Sequence, residues 1–581
     1  MSADHTEQRP FSGFRFQLPL GRRVSLDAGT YSGLHTFCDH IPDIGSRAMD
    51  PVIVVGAGPV GLSLSLALAG AGVPSVVLDE GPGKEEVRPA RTVVLHAETA
   101  AMAHRLGCTT LRDEGAYFAA WRTMRRSRPD RRITFEDHPA PLHVPQHALT
   151  RGLRDAAAAH PLVQLVTDSK LDSLEQDGRG VTAHTRGAET TWWRGSYLVG
   201  CDGARSTARK LLGIRFPGRT AVERHAVAAL RTELPWPGEA LLHRSPPHEV
   251  TSRPLRDGVW RLDWLLPPRG ELVTPDALVT LIRDTLAVWC GGTTPPYDLI
   301  DTGVHTVHHR LARRWRDGRA FLAGDAAHLL GALGTQGVEE GLRDAENLAW
   351  KLSLAWHQGA SEALLDSYEG ERRTAVASRL RAADQAMPSL RAGGGLRTYL
   401  PGAARSAESL LTDGHLGRGP LGAEPTYAPP VAVREVPTAT EPGGPVANVA
   451  VTAPDGATVP LRDLLGQGRL LVVLVAPGTG VWDRRHWLGA GLMPRLAAAV
   501  SALPVRTDLL VADSYPGAPA HTVLLVRPDG HLAATFAGVR PAELYEAADT
   551  LRAGAPASRV PAPSTATPTP APAPTPTVVI D

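Results

Sequence analysis

Apolar positions first fall into step at Val52–Val55, four consecutive β-branched residues that read as a buried strand. Leu62, Leu64, Leu66 and Leu68 follow on a helix-compatible stretch, and Ser75–Leu78 reads as the next strand. From 51 to about 395 strand and helix patterns alternate, with insertions at about 92–145 and 220–312, which predicts an α/β domain. Apolar residues at Leu342, Ala345, Leu348, Ala349 and Leu352 predict a long helix near its end. The Gly393–Gly395 run and the Pro429–Pro430 pair mark 396–430 as a linker. A second unit spans 431–553, with strands expected at Leu470–Val475, Leu509–Ala512 and Thr522–Val526. Residues 1–50 lack periodicity and read as an irregular extension. The segment 554–581 is mostly proline, alanine, serine and threonine; it buries too little apolar surface to offset its ordering entropy and reads as disordered.

Composition narrows the function classes. Hydrophobic content of 43% and charged content of 21% are those of a soluble globular chain, and 581 residues suffice for two to four domains. A formal net charge of +1 argues against a dedicated nucleic-acid or membrane-surface binder. Four cysteines without Cys-x-x-Cys spacing offer neither a disulfide framework nor a zinc site, and suit a reducing cytoplasm. The N-terminus shows no signal-peptide pattern, and no run approaches the ~20 apolar residues of a spanning helix. His305, His308 and His309 suggest a metal cluster, but strand alternation sends neighbours to opposite faces, so no metal site is expected. The arginines from Arg122 to Arg132 read as a solvated hairpin rather than a nucleic-acid surface.

Three glycine-centred segments carry the candidate chemistry. The first strand runs into Gly56-x-Gly58-Pro59-x-Gly61. Gly56 makes the tight turn, Gly58 lets backbone approach a pyrophosphate, and Gly61 lets helix and strand pack closely. Asp79, at the end of the next strand, can accept ribose hydroxyls, with Glu80 as its competitor. An acid there disfavours a 2′-phosphate, so the resident ligand is FAD or NAD rather than NADP. The second segment is a strand leading into Asp202-Gly203, after which Ser206 caps a short helix that carries Arg209 and closes at Gly213. The third is Gly324-Asp325-Ala326-Ala327-His328, with an acid that looks buried. Gly337 and Val338 open the long helix, whose N-terminus stabilises negative charge; they are candidate contacts for a flavin ring. His328 reads equally as a substrate contact or a structural residue, and no catalytic base can be named.

Together these segments resemble the single-component FAD-dependent aromatic hydroxylases of the para-hydroxybenzoate hydroxylase type, over about 51–390. The resemblance implies a Rossmann-like FAD-binding domain with an interleaved β-sheet substrate domain. Asp202 and Gly203 would lie near the pyrophosphate and the nicotinamide's entry route, and Asp325 would hold the ribityl chain. Arg91 matches a family arginine near the flavin, and Gln146 a glutamine beside FAD. Residues 431–553 resemble the C-terminal thioredoxin-like domain of the subgroup acting on phenolic acids and aromatic polyketides; without a cysteine there, thiol redox chemistry is excluded. The implied activity is hydroxylation of a small aromatic molecule by O2. NADPH or NADH would be a transient co-substrate, and a flavin C4a-hydroperoxide the oxygen donor. Baeyer–Villiger oxygenation of a ketone and a flavin-binding protein without oxygen insertion are the alternatives, and a homodimer is compatible with all three. Trp260, Trp264 and Leu265 stand as pocket lining or as core. The chain departs from the family pattern at Gly331-Ala332, where two prolines are usual, and at Glu339, where asparagine is usual. The glycine and alanine would loosen the flavin loop, and an inward Glu339 carboxylate would oppose an anionic reduced flavin.

Overall fold

The computed structural model describes residues 49–553, except 126–127, 137–138, 188–190, 246–247, 268–272, 332–335, 391–402, 429–435 and 479–490. The expected N-terminal extension (all but its last two residues) and the expected disordered tail lie outside the described residues.

Val52–Val55 is the centre of a six-stranded sheet. It pairs in parallel with Ser75–Leu78 on one side and Tyr197–Gly200 on the other. The sheet extends in parallel to Val163–Val166 and Ala320–Leu322, and Arg316–Asp317 adds an antiparallel edge. The strand run is apolar because both faces are covered, as parallel sheets require. Helix Pro59–Gly70 is correspondingly buried from Gly61 to Ala69. Gly56, Asp79, Cys201 and Ala323 all follow the carboxyl ends of parallel strands, the edge at which α/β sheets bind ligands.

A second, eight-stranded sheet is assembled from distant pieces: Ala120–Arg125, Arg128–Thr134, four strands between Gly218 and Leu266, Tyr297–Leu311 and His328–Leu329. The arginine-rich stretch is its terminal hairpin, where Arg122 and Arg132 both pair with Glu239. Alternation gives the sheet two unlike faces. One carries Ala226, Ala228, Leu230, Leu262 and Trp264 and packs under helix Pro275–Trp289. Trp260 and Trp264 are therefore core and not pocket lining; the Trp264 indole donates to Thr285 at 2.9 Å. The other face turns toward the Arg88–Arg91 segment, with Val227 and Ala229 against Ala90.

The described part of the stretch expected as a linker contains regular structure. Ala403–His415 is a helix, and Leu411 and Leu416 pack with Trp121 and Leu242. Its Leu410-Leu411 pair and the nearby Leu416 supply an apolar stripe that glycine and proline on either side had masked.

Beyond it, Leu470–Val475 and Thr507–Ala512 pair in parallel at the centre of another six-stranded sheet, flanked by antiparallel strands. Helices Met493–Ser501 and Pro541–Ala553 pack on it. Its core is not self-contained: Trp350, Leu354 and Leu364 from the preceding domain are buried in the same cluster. Among the described residues, no helix is long and apolar enough to cross a membrane.

Candidate cofactor and substrate site

Close backbone approach, the Val60 side chain and the Arg209 guanidinium bring the three glycine segments together. Gly56 has φ +103°, and a methyl group there would stand 2.5 Å from the Cys201 carbonyl oxygen, so only glycine fits. A methyl on Gly324 would stand 2.9 Å from Val60, and one on Gly341 would also collide with Val60. Val60 of the first loop is thus wedged between the third loop and the long helix Gln336–Gln358. Arg209 ties the second loop to the third, donating to Ala204 O at 3.0 Å and Ala326 O at 2.8 Å. Its guanidinium also stacks on Phe216, 3.9 Å from the ring centre.

The expected ligand residues line this junction. Asp79 accepts from the Ala57 amide at 2.6 Å and the Gly81 amide at 2.9 Å, which fixes its carboxylate against the glycine loop. Glu80 points elsewhere, exposed and paired with Lys170 at 2.7 Å. Asp202 Oδ2 accepts from the amides of Thr207 and Ala208, while Ser206 Oγ accepts from Arg209. Gly203 has positive φ at the turn between them. Strands Thr92–Leu95 and Leu142–Pro145 are antiparallel neighbours, which brings Arg91 Nε within 3.0 Å of Gln146 Oε1. Gly337 lies beside Asp325, its would-be methyl 3.9 Å from Oδ1, and Val338 is half-buried next to it.

Asp325 is not the buried acid the sequence suggested. It is reached by solvent and has no hydrogen-bond partner among the described residues. The protein packed around it raises its carboxyl pKa, against the opposing pull of His328 and Arg91. The buried acid is Asp344, eight residues into the long helix. It accepts from the Gly324 amide at 2.9 Å, His328 Nε2 at 2.7 Å and Arg372 Nε at 2.8 Å. His328 is fully buried and stacked on Trp315, a structural role.

Both departures from the family pattern meet partners. Glu339 is buried and accepts from the His96 amide at 2.8 Å and Thr99 Oγ1 at 2.5 Å; its other oxygen meets His96 Nδ1 at 2.6 Å. Burial opposes its ionisation, but His96, Arg343 and Thr99 outweigh it and hold the carboxyl down to about 2. Its charge is answered locally, so the expected opposition to a reduced flavin does not hold. Gly331 abuts Glu223 and His309, and any side chain there would collide with both. Ala332 lies outside the described residues.

FAD fits these residues. A methyl on Gly58 would meet nothing within 4 Å, which leaves room above the loop for a pyrophosphate. Among the described residues, Asp202 Oδ1 is buried without a partner and Asp325 has no hydrogen-bond partner. Asp79 keeps acceptor capacity for ribose hydroxyls beyond its two amide bonds. Sequence reasoning missed Asp344, His96 and Asp301, which clasps Arg88 at 3.2 Å and the Ala90 amide at 3.0 Å. The available signal was Glu340, Asp344, Asn347 and Lys351 recurring at helical spacing through an apolar helix.

The FAD binding domain family matches residues 49–383. A rifampicin monooxygenase from Streptomyces venezuelae is 35% identical over 58% of this chain and 72% of its own length. A 3-(3-hydroxy-phenyl)propionate/3-hydroxycinnamic acid hydroxylase from Paraburkholderia xenovorans is 29% identical over 58% of this chain and 54% of its own. The chain thus spans about half the length of that hydroxylase and its like. Among solved structures, the anhydrotetracycline hydroxylase OxyS from Streptomyces rimosus superposes with a TM-score of 0.64 at 28% identity, over 87% of this chain and 100% of its own. With the glycine loops, their converging acids and this match in hand, the chain belongs to the FAD binding domain family.

Proposed function

We propose that this protein is an FAD-dependent monooxygenase that uses NAD(P)H and O2 to hydroxylate a small aromatic molecule. The observation that carries the reading is the meeting of Gly56–Gly61, Asp202–Gly203, Gly324–Asp325 and Gly337. The loop amides and the Pro59–Gly70 helix N-terminus would bind the pyrophosphate, Asp79 the ribose and Asp325 the ribityl hydroxyls. Arg91, Gln146 and the amides at Gly337 and Val338 would border the isoalloxazine. Positive dipole at that helix end stabilises negative charge arriving on the ring edge. When bound, FAD supplies hydride acceptance and oxygen activation; the chain orients substrate and excludes water.

A thioredoxin-like identity for 431–553, a cytoplasmic location and a homodimer belong to the same reading. The three described cysteines, Cys108, Cys201 and Cys290, are unpaired, which supports a reducing compartment. The test is the visible spectrum and extracted-cofactor mass of the purified protein, followed by NADPH oxidation across a phenol panel. Flavin absorbance, and substrate-stimulated turnover with product heavier by one oxygen, are expected. A colourless protein that refuses added FAD would sink the proposal. Substrate-independent peroxide would leave a flavoprotein without oxygen insertion.

A further inference from the structure

The face of the eight-stranded sheet that meets the FAD-side segments is charged where a pocket for aromatic molecules would ordinarily be apolar. Strand Gly218–Thr232 places Glu223, His225, Val227 and Ala229 there, and strand Val259–Leu266 adds Arg261 and Asp263. His225 Nδ1 lies 2.6 Å from Asp263 and Nε2 lies 3.0 Å from Glu223. An ionised carboxylate only accepts, so both ring nitrogens must donate and the ring is an imidazolium. Burial works against that charge, but Asp263 and Glu223 raise His225 to about 10. Glu223 also faces His309 at 3.4 Å, which in turn meets Asp384 at 2.9 Å. Arg261 pairs with Asp263 at 2.8 Å and donates to Ala90 O. Within this array each anion is answered by a cation.

His305 stands beside the array without joining it. Strand register sets it opposite His225, and the two rings stack at 5.3 Å and 11°. On its own strand it lies between Gly303, which touches Arg88, and His309, which touches Gly331 of the flavin loop. It is exposed to solvent and has no hydrogen-bond partner among the described residues. Its pKa is held at about 4, first by burial; Asp263 opposes, His225 and Arg261 add to the depression, and Glu223 opposes. A neutral imidazole offers one N–H and one lone pair. A ring that cannot gain charge is a poor partner for a carboxylate and a good one for a hydroxyl.

We propose that His305 is the substrate-reading residue of this sheet face, accepting a hydrogen bond from a neutral hydroxyl on the substrate's aromatic ring through a ring nitrogen. This rests on the proposed function above and deepens it, since it selects phenols by their O–H rather than by an acidic tail. His225, held as an imidazolium by Asp263 and Glu223, is a positioning residue whose charge disfavours a second charge on the stacked His305 ring.

The test uses the FAD-loaded protein and a matched pair of probes, 2-naphthol and 2-methoxynaphthalene, with binding read from perturbation of the flavin spectrum. The wild type should prefer naphthol by roughly fivefold to tenfold, the worth of one hydrogen bond. Its affinity should not change between pH 5.5 and 8. His305→Phe should abolish the preference, His305→Gln, which keeps a carbonyl acceptor, should retain it, and His305→Ala serves as a second removal. Flavin content should be the same in all four proteins, so loss of FAD would indict the cofactor reading instead. The proposal is overturned if the wild type shows no preference for naphthol, or if the preference survives in His305→Phe or His305→Ala. A wild-type binding midpoint near 6.5, the ordinary histidine value, overturns it as well.

Discussion

Glu339 sits at the first turn of the long helix with its carboxylate turned to His96, and its pKa makes a pH-dependent prediction. Its folded value of about 2 lies below the usual carboxylate value, so its stabilisation is complete above that usual value and lost as pH falls toward 2. Glu339→Gln should lower the melting temperature at pH 7, and the gap to wild type should close on acidification. Gly331→Pro, which restores the residue usual in the resemblance, should lower the melting temperature rather than raise it, because Glu223 and His309 occupy the space. Asp79→Ala removes an acceptor from the glycine loop and should lower the flavin-to-protein ratio after gel filtration by about tenfold in affinity. At this scale the sequence was legible where a residue's reason is local. Asp79 at a strand end, Ser206 as a cap and Gly56 at a turn follow from position alone. Glu339 was legible as an oddity but not as a solved one, since His96 lies far away in the chain.

The long helix shows why elements were easier to find than to interpret. Its apolar positions gave its existence, but several polar positions between them are buried too. Glu340, Asp344, Asn347 and Lys351 lie inside the protein, answered by Arg372, Arg379, Glu371 and Asp529. A π-helical turn at Glu369–Arg373 aims two of these partners, Glu371 and Arg372, from the adjoining helices. Polar stripes read as surface until partners appear, and the partners here come from elements that periodicity treats separately. Asp344→Asn leaves Arg372 without a full countercharge and should cost about 3–5 kcal/mol in denaturant unfolding. It should also loosen FAD retention through the Gly324 amide. The helix in the expected linker was hidden for a different reason: a short apolar stripe among glycines carries little periodic signal.

Across the molecule, the domains are joined by charge as well as by shared core. Arg527 bridges Glu371 of the first domain and Asp529 of the second, with contacts of 2.6 to 2.9 Å, while the Trp350 indole donates to Asp529 at 3.0 Å. A chain ending at residue 428 would expose Trp350, Leu354 and Leu364, so it should aggregate rather than yield a smaller soluble flavoprotein. Sedimentation and flavin absorbance of that truncation check the expectation. The sequence marked a boundary near residue 430, but the dependence across it was not legible, because it resides in pairs such as Arg527 and Glu371, 156 residues apart. The 23-residue helix that starts beside Asp325 spans about 34 Å and is gripped near its middle by the C-terminal domain. Warming that distant module should therefore tug on the same rod that starts beside Asp325. If that end holds the flavin as proposed, fluorescence of the dissociating coenzyme should brighten in step with the module's melting, making the pigment a thermometer for the helix's far end.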